Sequence, residues 1–536
     1  IDEVATITDK ISQLFTSEKF DFTLQKKYLT NYYLETDNFT LRKLDMGLRV
    51  RGIAREGEQL QFEQTIKTAG KVVGGLHKRP EYNVDIDSKQ VDLSLFPKDI
   101  WLGSDVNVGL LQQDITCLFE THFNRITWLI TFEGSTIELA LDEGEVKCPG
   151  FDKTDKIFEL ELELVSGEQK DLFALAQLLF SALVMRPGQL SKAARGYALA
   201  KEFKAQGTLI TEGVSSAAVG NITDTPDYSP TELLLEVIPM RSQFSLDGAF
   251  KFGIEHGLTT LQQNVQFYMN KPSVSSLIKI AELLALLRQG FWLFEQHLPQ
   301  QSLAIRDELS YFIRVLHWAD NADHLQELVS KSGVYRKKIS RSEELIDKLQ
   351  LQKSRYPDET QMIALFHSER FNLLQQSLVK LLITADDRQV SECIGTNESV
   401  NVNLTDFARS KLTQRLTTIL SEMQLQAGQS KQLSCEQYMS LHGILIRSLL
   451  AGSWFSALFD TPETRHQIEA YRRPWLDIKQ GISELQTLYI LKQQLALLSA
   501  PQVKLVSWLD DKIDNLLLAL EHSRANAETL KPYWQL

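Results

Sequence analysis

A two-residue alternation in "IFELELELV" (157–165) constrains the fold more than any other feature of this chain. Glu159, Glu161 and Glu163 alternate with leucines, so in a β-strand the glutamates lie on one face and the leucines on the other. Three carboxylates spaced about 7 Å apart on one face repel each other unless a cation or basic neighbours compensate them. The stretch therefore predicts a strand with one apolar face and one charged face.

Five further stretches alternate in the same way and predict strands of the same antiparallel sheet. They are "GLRVR" (47–51), "LQFEQTIK" (60–67), "RPEYNV" (79–84), "FNRITWLITF" (123–132) and "TIELALD" (136–142). Their polar positions and those of 157–165 form two charged sets. The cationic set is Arg49, Arg51, Lys67, Arg79 and Arg125, and the anionic set is Glu63, Glu138, Asp142, Glu159, Glu161 and Glu163.

Two interpretations of this sheet stay open from the residues alone. In the first, one face packs on helices and the charged face is solvated, as in many antiparallel sheets. In the second, the sheet closes into a barrel with its charged residues inside. A charged interior of this kind suits a polyanion held by arginines together with a divalent metal held by carboxylates.

Hydrophobic periodicity divides the chain into two halves. Residues 1–204 read as α+β, with helical spacing at 1–19, 168–184 and 192–204 around the predicted strands. Residues 205–230 are small, polar and turn-rich, which predicts a linker, and residues 231–536 have helical periodicity throughout. At 536 residues the chain exceeds the size of one core, so at least two domains are expected.

Composition and charge argue against several classes of function. Residues 1–204 hold 25 basic and 32 acidic residues and the remainder holds 32 and 37, so neither half has the basic excess of a general nucleic-acid binder. The sequence has no uninterrupted apolar run of about 18 residues, so we expect no membrane span. Cys117, Cys148, Cys393 and Cys435 form no CxxC pair, which favours a reducing cytoplasm over a disulfide framework.

Over residues 1–204 the sequence resembles the CYTH superfamily, the triphosphate tunnel enzymes. The resemblance rests on motifs that occur in the family's order: "GLRVR", "FEQTIK", "RPEYNV", "IELALDEGEV", "ELELEL" and "LSKAARGY". It implies an eight-stranded antiparallel β-tunnel with flanking helices, which acts on triphosphates with Mg²⁺ or Mn²⁺. Members of the superfamily include inorganic triphosphatases, thiamine triphosphatases and class IV adenylyl cyclases.

The resemblance also implies roles for individual residues. The phosphate-binding residues would be Arg49, Arg51, Lys67, Arg79, Arg125, Lys192 and Arg195. The metal ligands would be Glu138, Asp142, Glu161 and Glu163, with Glu63, Glu81 and Glu159 as supporting acids of the tunnel.

The family is also marked by an ExExK strand that supplies metal-binding glutamates and a lysine implicated in activating water. The sequence starts instead at "IDEVATITDKISQLF", which resembles the helix after that strand. Either this strand lies upstream of Ile1, which the lack of an initiator methionine favours, or the protein has lost it. No catalytic residue is therefore assigned within the chain.

Residues 231–536 lie where CHAD domains follow CYTH domains in bacterial fusion proteins. CHAD domains typically carry His and Arg or Lys at helical spacing and are associated with polyphosphate. The nearest matches here are "LALLRQGFWLFEQHL" (284–298), "VLHWADNADHL" (315–325) and "LHGILIRSLLAGSWF" (441–455). The alternative is that these are ordinary helix-surface or core-edge residues, in a domain with a structural or partner-docking role.

Two functions follow as expectations. The first is metal-dependent hydrolysis of inorganic triphosphate to pyrophosphate and phosphate, with thiamine triphosphatase and class IV adenylyl cyclase as alternatives within the enzymes. The second is a non-catalytic protein that binds polyphosphate or serves as a scaffold. Neither expectation includes a nucleic-acid or membrane partner.

Overall fold

The computed structural model describes residues 4–102, 106–211, 236–340, 342–383, 403–428 and 432–535. The chain forms two units, Ile1–Tyr228 with His367–Gln376 and Ser229–Phe366 with Ser377–Leu536. The first unit combines an antiparallel sheet with helices, whereas the second is helical. The predicted order of an α+β region followed by an all-α region is therefore confirmed.

Seven antiparallel strands form the main sheet of the first unit, in the order β6-β3-β2-β1-β7-β8-β9, and β4 pairs only with β5. The central strand β1 was not singled out from the sequence, because polar and apolar residues occur on both of its faces. The strands are β1 (Asp21–Glu35), β2 (Gly47–Ala54), β3 (Gln61–Lys67), β4 (Lys71–Val73), β5 (Leu76–Lys78), β6 (Glu81–Ile86), β7 (Thr116–Phe132), β8 (Ser135–Lys147) and β9 (Thr154–Ser166).

Five helices accompany this sheet. The last of them continues to Thr211, seven residues into the segment predicted as a linker, and residues 212–230 of that segment lie outside the described residues. The helices are α1 (Val4–Ser17), α2 (Thr40–Lys43), α3 (Val108–Asp114), α4 (Gln169–Ala182) and α5 (Lys192–Thr211).

The apolar positions of the alternating strands face α1 and α4. Trp128, Ile130 and Leu139 of the sheet are fully buried, and they share one core cluster with Phe15 of α1 and Leu175 of α4. Burying a large apolar side chain stabilises the fold by roughly 1.5–3 kcal/mol. This packing fixes the register of the strands, because a slip of one residue would expose the whole apolar set.

Helix α5 packs on the opposite face of the sheet, which we call the inner face. Phe119, Phe123 and Ile157 form a buried cluster there with Leu199 of α5. At Gly196 the helix comes so close that an added Cβ would lie 2.0 Å from the ring of Phe119. The inner face is therefore apolar and closed beneath part of α5, a feature that the alternation of polar residues did not predict.

The β4–β5 hairpin joins the β3–β6 edge of the sheet to the β9 edge. Leu76 of the hairpin packs with Leu160 and Leu162 of β9 in the cluster beneath α4. At Gly75 the backbone passes so close to Gly188 that a Cβ would lie 2.6 Å from its carbonyl oxygen. The hairpin between β3 and β6 thus shares a core cluster with residues of β9.

All elements after residue 236 are helical. Within the described ranges one helical stretch, Cys435–Phe459, is apolar and long enough to cross a membrane, but 50% of its most apolar window is buried, and core helices of soluble proteins pass the same test. The helices are α6 (Leu246–Asn270), α7 (Val274–Leu293), α8 (Leu303–Leu316), α9 (Trp318–Val329), α10 (Arg336–Ile339), α11 (Glu343–Lys353), α12 (Glu359–Phe366), α13 (Glu369–Ile383), α14 (Leu404–Ala427), α15 (Cys435–Phe455), α16 (Arg465–Ala496) and α17 (Val503–Thr529).

Candidate active site

The register of the sheet places both predicted charged sets on the inner face. Directly paired residues of neighbouring strands project from the same face. Arg51 of β2 pairs with Asn31 of β1, and Lys27 on the same face of β1 pairs with Arg125 of β7. Arg125 in turn pairs with Asp142 of β8. The inner face is therefore charged where α5 does not bury it beneath apolar side chains.

Arg49 and Arg51 lie two residues apart on this face. Arg51 donates its Nε–H to Asn31 at 2.7 Å, and Asn31 donates to Thr121 at 2.8 Å. The Nε of Arg49 is buried without a hydrogen-bond partner, and within the described ranges neither guanidinium forms an ion pair with a carboxylate. Burial lowers the pKa of Arg51 to about 9, and the charges of Arg49 and Arg125 add to the lowering. The charge of Glu63, opposite Arg51 on β3, works against this lowering. Among the described residues the fold thus holds two positive charges together without an ion pair to either guanidinium.

Lys27 adds a third positive charge from β1 that the sequence analysis missed. Burial lowers the pKa of Lys27, nearby Glu138 opposes this, and Arg125 and Arg51 lower it further. The available signal was the spacing of Lys27 and Asn31 on one face of β1. It was obscured by the apolar Leu29 between them.

Lys67 and Arg79, also predicted to bind phosphate, lie near the β6 edge and have carboxylate partners. Lys67 forms an ion pair with Glu81, its partner across β3 and β6. Burial lowers the pKa of Lys67, and the charge of Arg49 adds to this. Arg79 lies just before β6 and pairs with Asp45 at 3.4 Å.

Arg125 lies at the centre of the acidic half of the face. Its guanidinium donates to both carboxylate oxygens of Asp142, at 2.7 and 2.6 Å, and to Glu161 at 2.5 Å. Asp142 is 0% exposed and Arg125 is 8% exposed. Burial alone would lower the pKa of Arg125, but the bonds to Asp142 and Glu161 outweigh burial and raise it. Its hydrogen-bonding groups therefore face carboxylates in this structure.

Helix α5 supplies two more cations to the acidic strands. The Nζ of Lys192 lies 2.7 Å from Asp142, 2.5 Å from Glu159 and 2.8 Å from Glu161. Arg195 lies 2.7 Å from Asp155 and 3.2 Å from Glu159. The glutamates of β9, whose repulsion the sequence predicted, are thus compensated by basic neighbours.

The protonation of Glu161 shows the strength of this compensation. Burial would raise the pKa of Glu161, but the ammonium of Lys192 and the guanidinium of Arg125 lower it to about 2. Burial likewise opposes the charge of Lys192, and Glu161, Asp142 and Glu159 raise its pKa above the ordinary value. Glu161, Lys192 and Arg125 are therefore charged at neutral pH.

Three carboxylates of this cluster are grouped closely enough to hold a metal ion. One oxygen each of Asp142, Glu159 and Glu161 lies within 4.8 Å of the others. Carboxylate oxygens are the ligands that Mg²⁺ and Mn²⁺ prefer, so the residues fit such an ion. The cluster includes Asp142 and Glu161 of the predicted metal set, together with Glu159, which was predicted only as a supporting acid.

The other predicted acids lie around this cluster. Glu138 and Glu163 are opposite each other on β8 and β9, and Glu163 is exposed. Glu138 is 4.0 Å from Arg125. Glu63 is opposite Arg51 on β3. The structure therefore keeps Glu138 and Glu163 on the inner face but outside the group of three carboxylates.

In the second unit, arginines from four helices influence one another. Burial lowers the pKa of Arg288 on α7, and Arg447 on α15 and Arg314 on α8 lower it further. Burial also lowers the pKa of Arg415 on α14, again with a contribution from Arg447. Arg288 and Arg447 come from two of the segments that resemble CHAD domains, and the structure brings them into one cationic cluster.

His442 does not add to this positive charge. Burial lowers its pKa to about 4, and the charges of Lys479, His324 and His317 contribute. The imidazole is therefore neutral at physiological pH. His324 is likewise a buried residue, hydrogen-bonded to Thr487 at 2.9 Å. The two histidines are therefore better interpreted as core residues than as phosphate ligands.

Comparisons with known proteins agree with this organisation. The model of the CYTH domain matches residues 5–197, which lie within the first unit. An inorganic triphosphatase from Haemophilus influenzae is 36% identical over 180 residues, which cover 33% of this chain and 48% of that protein. The match thus spans about half the length of that relative.

Two solved structures are similar to parts of the chain. The CHAD domain from the plant Ricinus communis is 15% identical, with a TM-score of 0.39 over 56% of this chain and 98% of that one. A putative adenylyl cyclase from Hippeastrum, described as revealing a dominant triphosphatase activity, is 18% identical, with a TM-score of 0.25 over 35% and 89%.

Proposed function

We propose that the first unit hydrolyses inorganic triphosphate to pyrophosphate and phosphate with the help of a divalent metal. The observation that carries the proposal is the pair formed by Arg49 and Arg51. Two neighbouring, half-buried guanidinium groups without an ion pair to a carboxylate raise the energy of the free protein, and a bound polyanion relieves that cost. The similarity to an inorganic triphosphatase supports triphosphate as this anion.

Several residues of the inner face bind the substrate or orient the groups that bind it. Arg49 and Arg51 bind phosphoryl oxygens through charge-assisted hydrogen bonds, and Lys27 adds a positive charge beside them. Asn31 orients Arg51 through the 2.7 Å hydrogen bond to its Nε. Because charge develops on the phosphoryl oxygens during transfer, preorganised cations here stabilise the transition state more than water does. Lys67 and Arg79 extend the same positive surface toward β6.

Asp142, Glu159 and Glu161 are the residues that would hold the metal, which is Mg²⁺ or Mn²⁺ in this proposal. When bound, such an ion polarises a phosphoryl oxygen and lowers the pKa of bound water. Arg125 fixes Asp142 and Glu161 for this role through three short hydrogen bonds. Glu138 and Glu163, on the same face, would bind through water or compensate nearby cations.

Phosphate release from inorganic triphosphate by the purified protein tests the proposal. We expect turnover with Mg²⁺ or Mn²⁺, its loss in EDTA, and its return when the metal is restored. Thiamine triphosphate and ATP, assayed in parallel for phosphate release and for cyclic AMP, address the two alternatives within the enzymes. Metal-independent turnover, or faster turnover of either nucleotide-like substrate than of triphosphate, would contradict the assignment.

A second binding function rests on the arginine cluster of the second unit. Burial lowers the pKa values of Arg288 and Arg415, and the charge of Arg447 contributes to both, with Arg314 contributing to that of Arg288. We propose that this cluster binds a polyanion such as polyphosphate. Polyphosphate binding that falls steeply with salt, and that Arg288→Ala with Arg447→Ala abolishes, would support it. Arg465→Ala is the control, because Arg465 is exposed and paired with Asp460 at 2.9 Å.

A further inference from the structure

The ammonium group of Lys192 lies among the oxygens that would ligate the metal. Its Nζ is 2.5–2.8 Å from Asp142, Glu159 and Glu161, which are the three residues of the carboxylate group. The lysine side chain is 7% exposed, so this is an internal position rather than a surface ion pair. One cationic group of the protein therefore already contacts every ligand in the cluster.

A divalent cation and this ammonium cannot hold the same oxygens at the same time. Mg²⁺ binds carboxylate oxygens at about 2.0–2.1 Å, so an ion among these three groups would lie where the ammonium lies now. Two like charges at that separation repel each other. Moreover, Arg125, Lys192 and Arg195 already supply three positive charges to the three carboxylates. The three carboxylates are thus already contacted by cationic side chains, of which Arg195 is shared with Asp155. A further cation has to compete with these internal partners.

We propose that Lys192 is an internal counter-ion of the metal site, whose ammonium must leave the three carboxylates before a divalent cation binds there. The inference rests on the proposed function in that it places the metal at this cluster. It assigns Lys192 a task beyond phosphate binding, because the residue sets the affinity for metal by competing with it. Once displaced, the ammonium is free to pair with an anion on the inner face.

The side chains around the cluster differ in their ability to move in this way. Arg125 is fixed to Asp142 by two parallel hydrogen bonds, which a planar guanidinium makes in only one orientation. Lysine carries a compact charge on a flexible four-carbon chain and can change partners by rotation. The Nζ of Lys192 also lies 5.1 Å from the ring centre of Phe123, which offers the cation a second favourable contact. Lys192 is therefore the cation of the cluster that can be displaced.

Calorimetric titration with Mn²⁺ alone, without any phosphate compound, tests this inference. In wild type, Mn²⁺ has to break the buried ion pairs of Lys192, which costs energy on the kcal/mol scale. Lys192→Met removes this cost, and about 1.4 kcal/mol corresponds to a tenfold change in affinity. We therefore expect the variant to bind Mn²⁺ about tenfold more tightly or better. The metal-free variant should melt below wild type, and Mn²⁺ should raise its melting temperature by more than it raises that of wild type. Lys192→Gln, which keeps hydrogen-bond donors without the charge, should bind Mn²⁺ more tightly than wild type as well.

Lys153→Met is the matched control. Lys153 also joins the β9 end of the sheet to α5, through an ion pair with Glu202 at 2.7 Å, but both side chains are exposed and lie outside the carboxylate group. This variant has the same change in net charge, and we expect wild-type affinity for Mn²⁺.

Unchanged or weaker Mn²⁺ binding in both Lys192 variants would overturn the inference, even if the wild type hydrolyses triphosphate. Tighter binding in a protein that never releases phosphate would keep the inference and refute the proposed function instead. If both variants are unfolded without metal, recovery of the folded state by Mn²⁺ supports the competition, and failure to recover contradicts it.

Discussion

The two halves of the inner face hold their charges in opposite ways. On β2, Arg49 and Arg51 are close together, and within the described residues neither pairs with a carboxylate. On the β8–β9 side, Arg125 and Lys192 each contact two or more carboxylates within 2.8 Å. A buried charge without a partner destabilises the free protein, whereas a fully paired cluster does not. The unpaired half is therefore ready for an anion, while a ligand of the paired half has to replace an internal partner.

The largest expected effect is on the paired half. Arg125→Met leaves the fully buried Asp142 without its two hydrogen bonds, and breaking a buried ion pair from one side typically costs about 3–5 kcal/mol. We expect a loss of this size in the free energy of unfolding, measured by urea titration in EDTA.

The double variant Arg125→Met with Asp142→Leu separates lost pairing from lost packing. Replacing both partners by apolar side chains of similar size removes the buried unpaired charge, so most of the stability should return. A double variant as unstable as Arg125→Met alone would show that the pair is not what stabilises this half.

Substitutions in the unpaired half should lower the catalytic rate without lowering the free energy of unfolding. Arg49→Ala with Arg51→Ala removes charge-assisted contacts to phosphate, and we expect kcat/KM for triphosphate to fall by about 10²-fold or more. The free energy of unfolding should stay equal or rise, because two repelling charges are gone. Arg55→Ala is the control, since Arg55 is exposed and paired with Glu58 at 2.9 Å. Wild-type kcat/KM in the double variant would show that these arginines are only a solvated face.

A smaller effect concerns the helix that carries Lys192 and Arg195. Gly196→Ala would place a Cβ 2.0 Å from the ring of Phe119, so α5 or the ring has to move, at a cost of about 1–3 kcal/mol. Replacing glycine by alanine within a helix ordinarily stabilises it by about 0.5–1 kcal/mol, so the expected sign is reversed. Gly443→Ala, whose new Cβ would meet its nearest atom at 3.6 Å, is the control that should not destabilise. A stabilised Gly196→Ala would mean that α5 is not held tightly against the sheet.

Much of this arrangement could be predicted from the sequence, because strand alternation is a local signal. "IFELELELV" and "FNRITWLITF" gave the correct faces for Glu161 and Arg125, since most of the residues that alternate with them are apolar. The alternation could not reveal β1, where Leu29 occupies an inner position and contacts the apolar side of α5. Lys27 and Asn31 were missed for that reason.

The partners of the charges could not be predicted, because pairing depends on residues distant in sequence. Lys192 follows Asp142 by 50 positions, and only the packing of Gly196 against Phe119 brings α5 within reach of β8 and β9. The sequence therefore showed that carboxylates and cations share a face. It did not show that Lys192 lies among the carboxylates while Arg49 and Arg51 have no such partner.

The smallest expected effect is the pH dependence of the paired half. The pKa of Glu161 is about 2 in the folded protein and lies below its ordinary value of 4.5, so the unfolded chain binds the extra proton as pH falls. The stabilisation from Glu161 is therefore complete above about pH 4.5 and is lost progressively toward pH 2. Over this window Glu161→Gln should flatten the dependence of the unfolding free energy on pH, by at most the one-proton value of about 1.4 kcal/mol per pH unit. We expect less than this limit, because the side chain is 48% exposed and solvent screens its charge.

Unfolding titrations in EDTA across this range measure the slope, and Glu163→Gln, an exposed position on the same face of β9, is the control. Equal slopes in wild type and both variants would mean that Lys192 and Arg125 do not hold Glu161 as a charged partner, and the contrast between the two halves would fail.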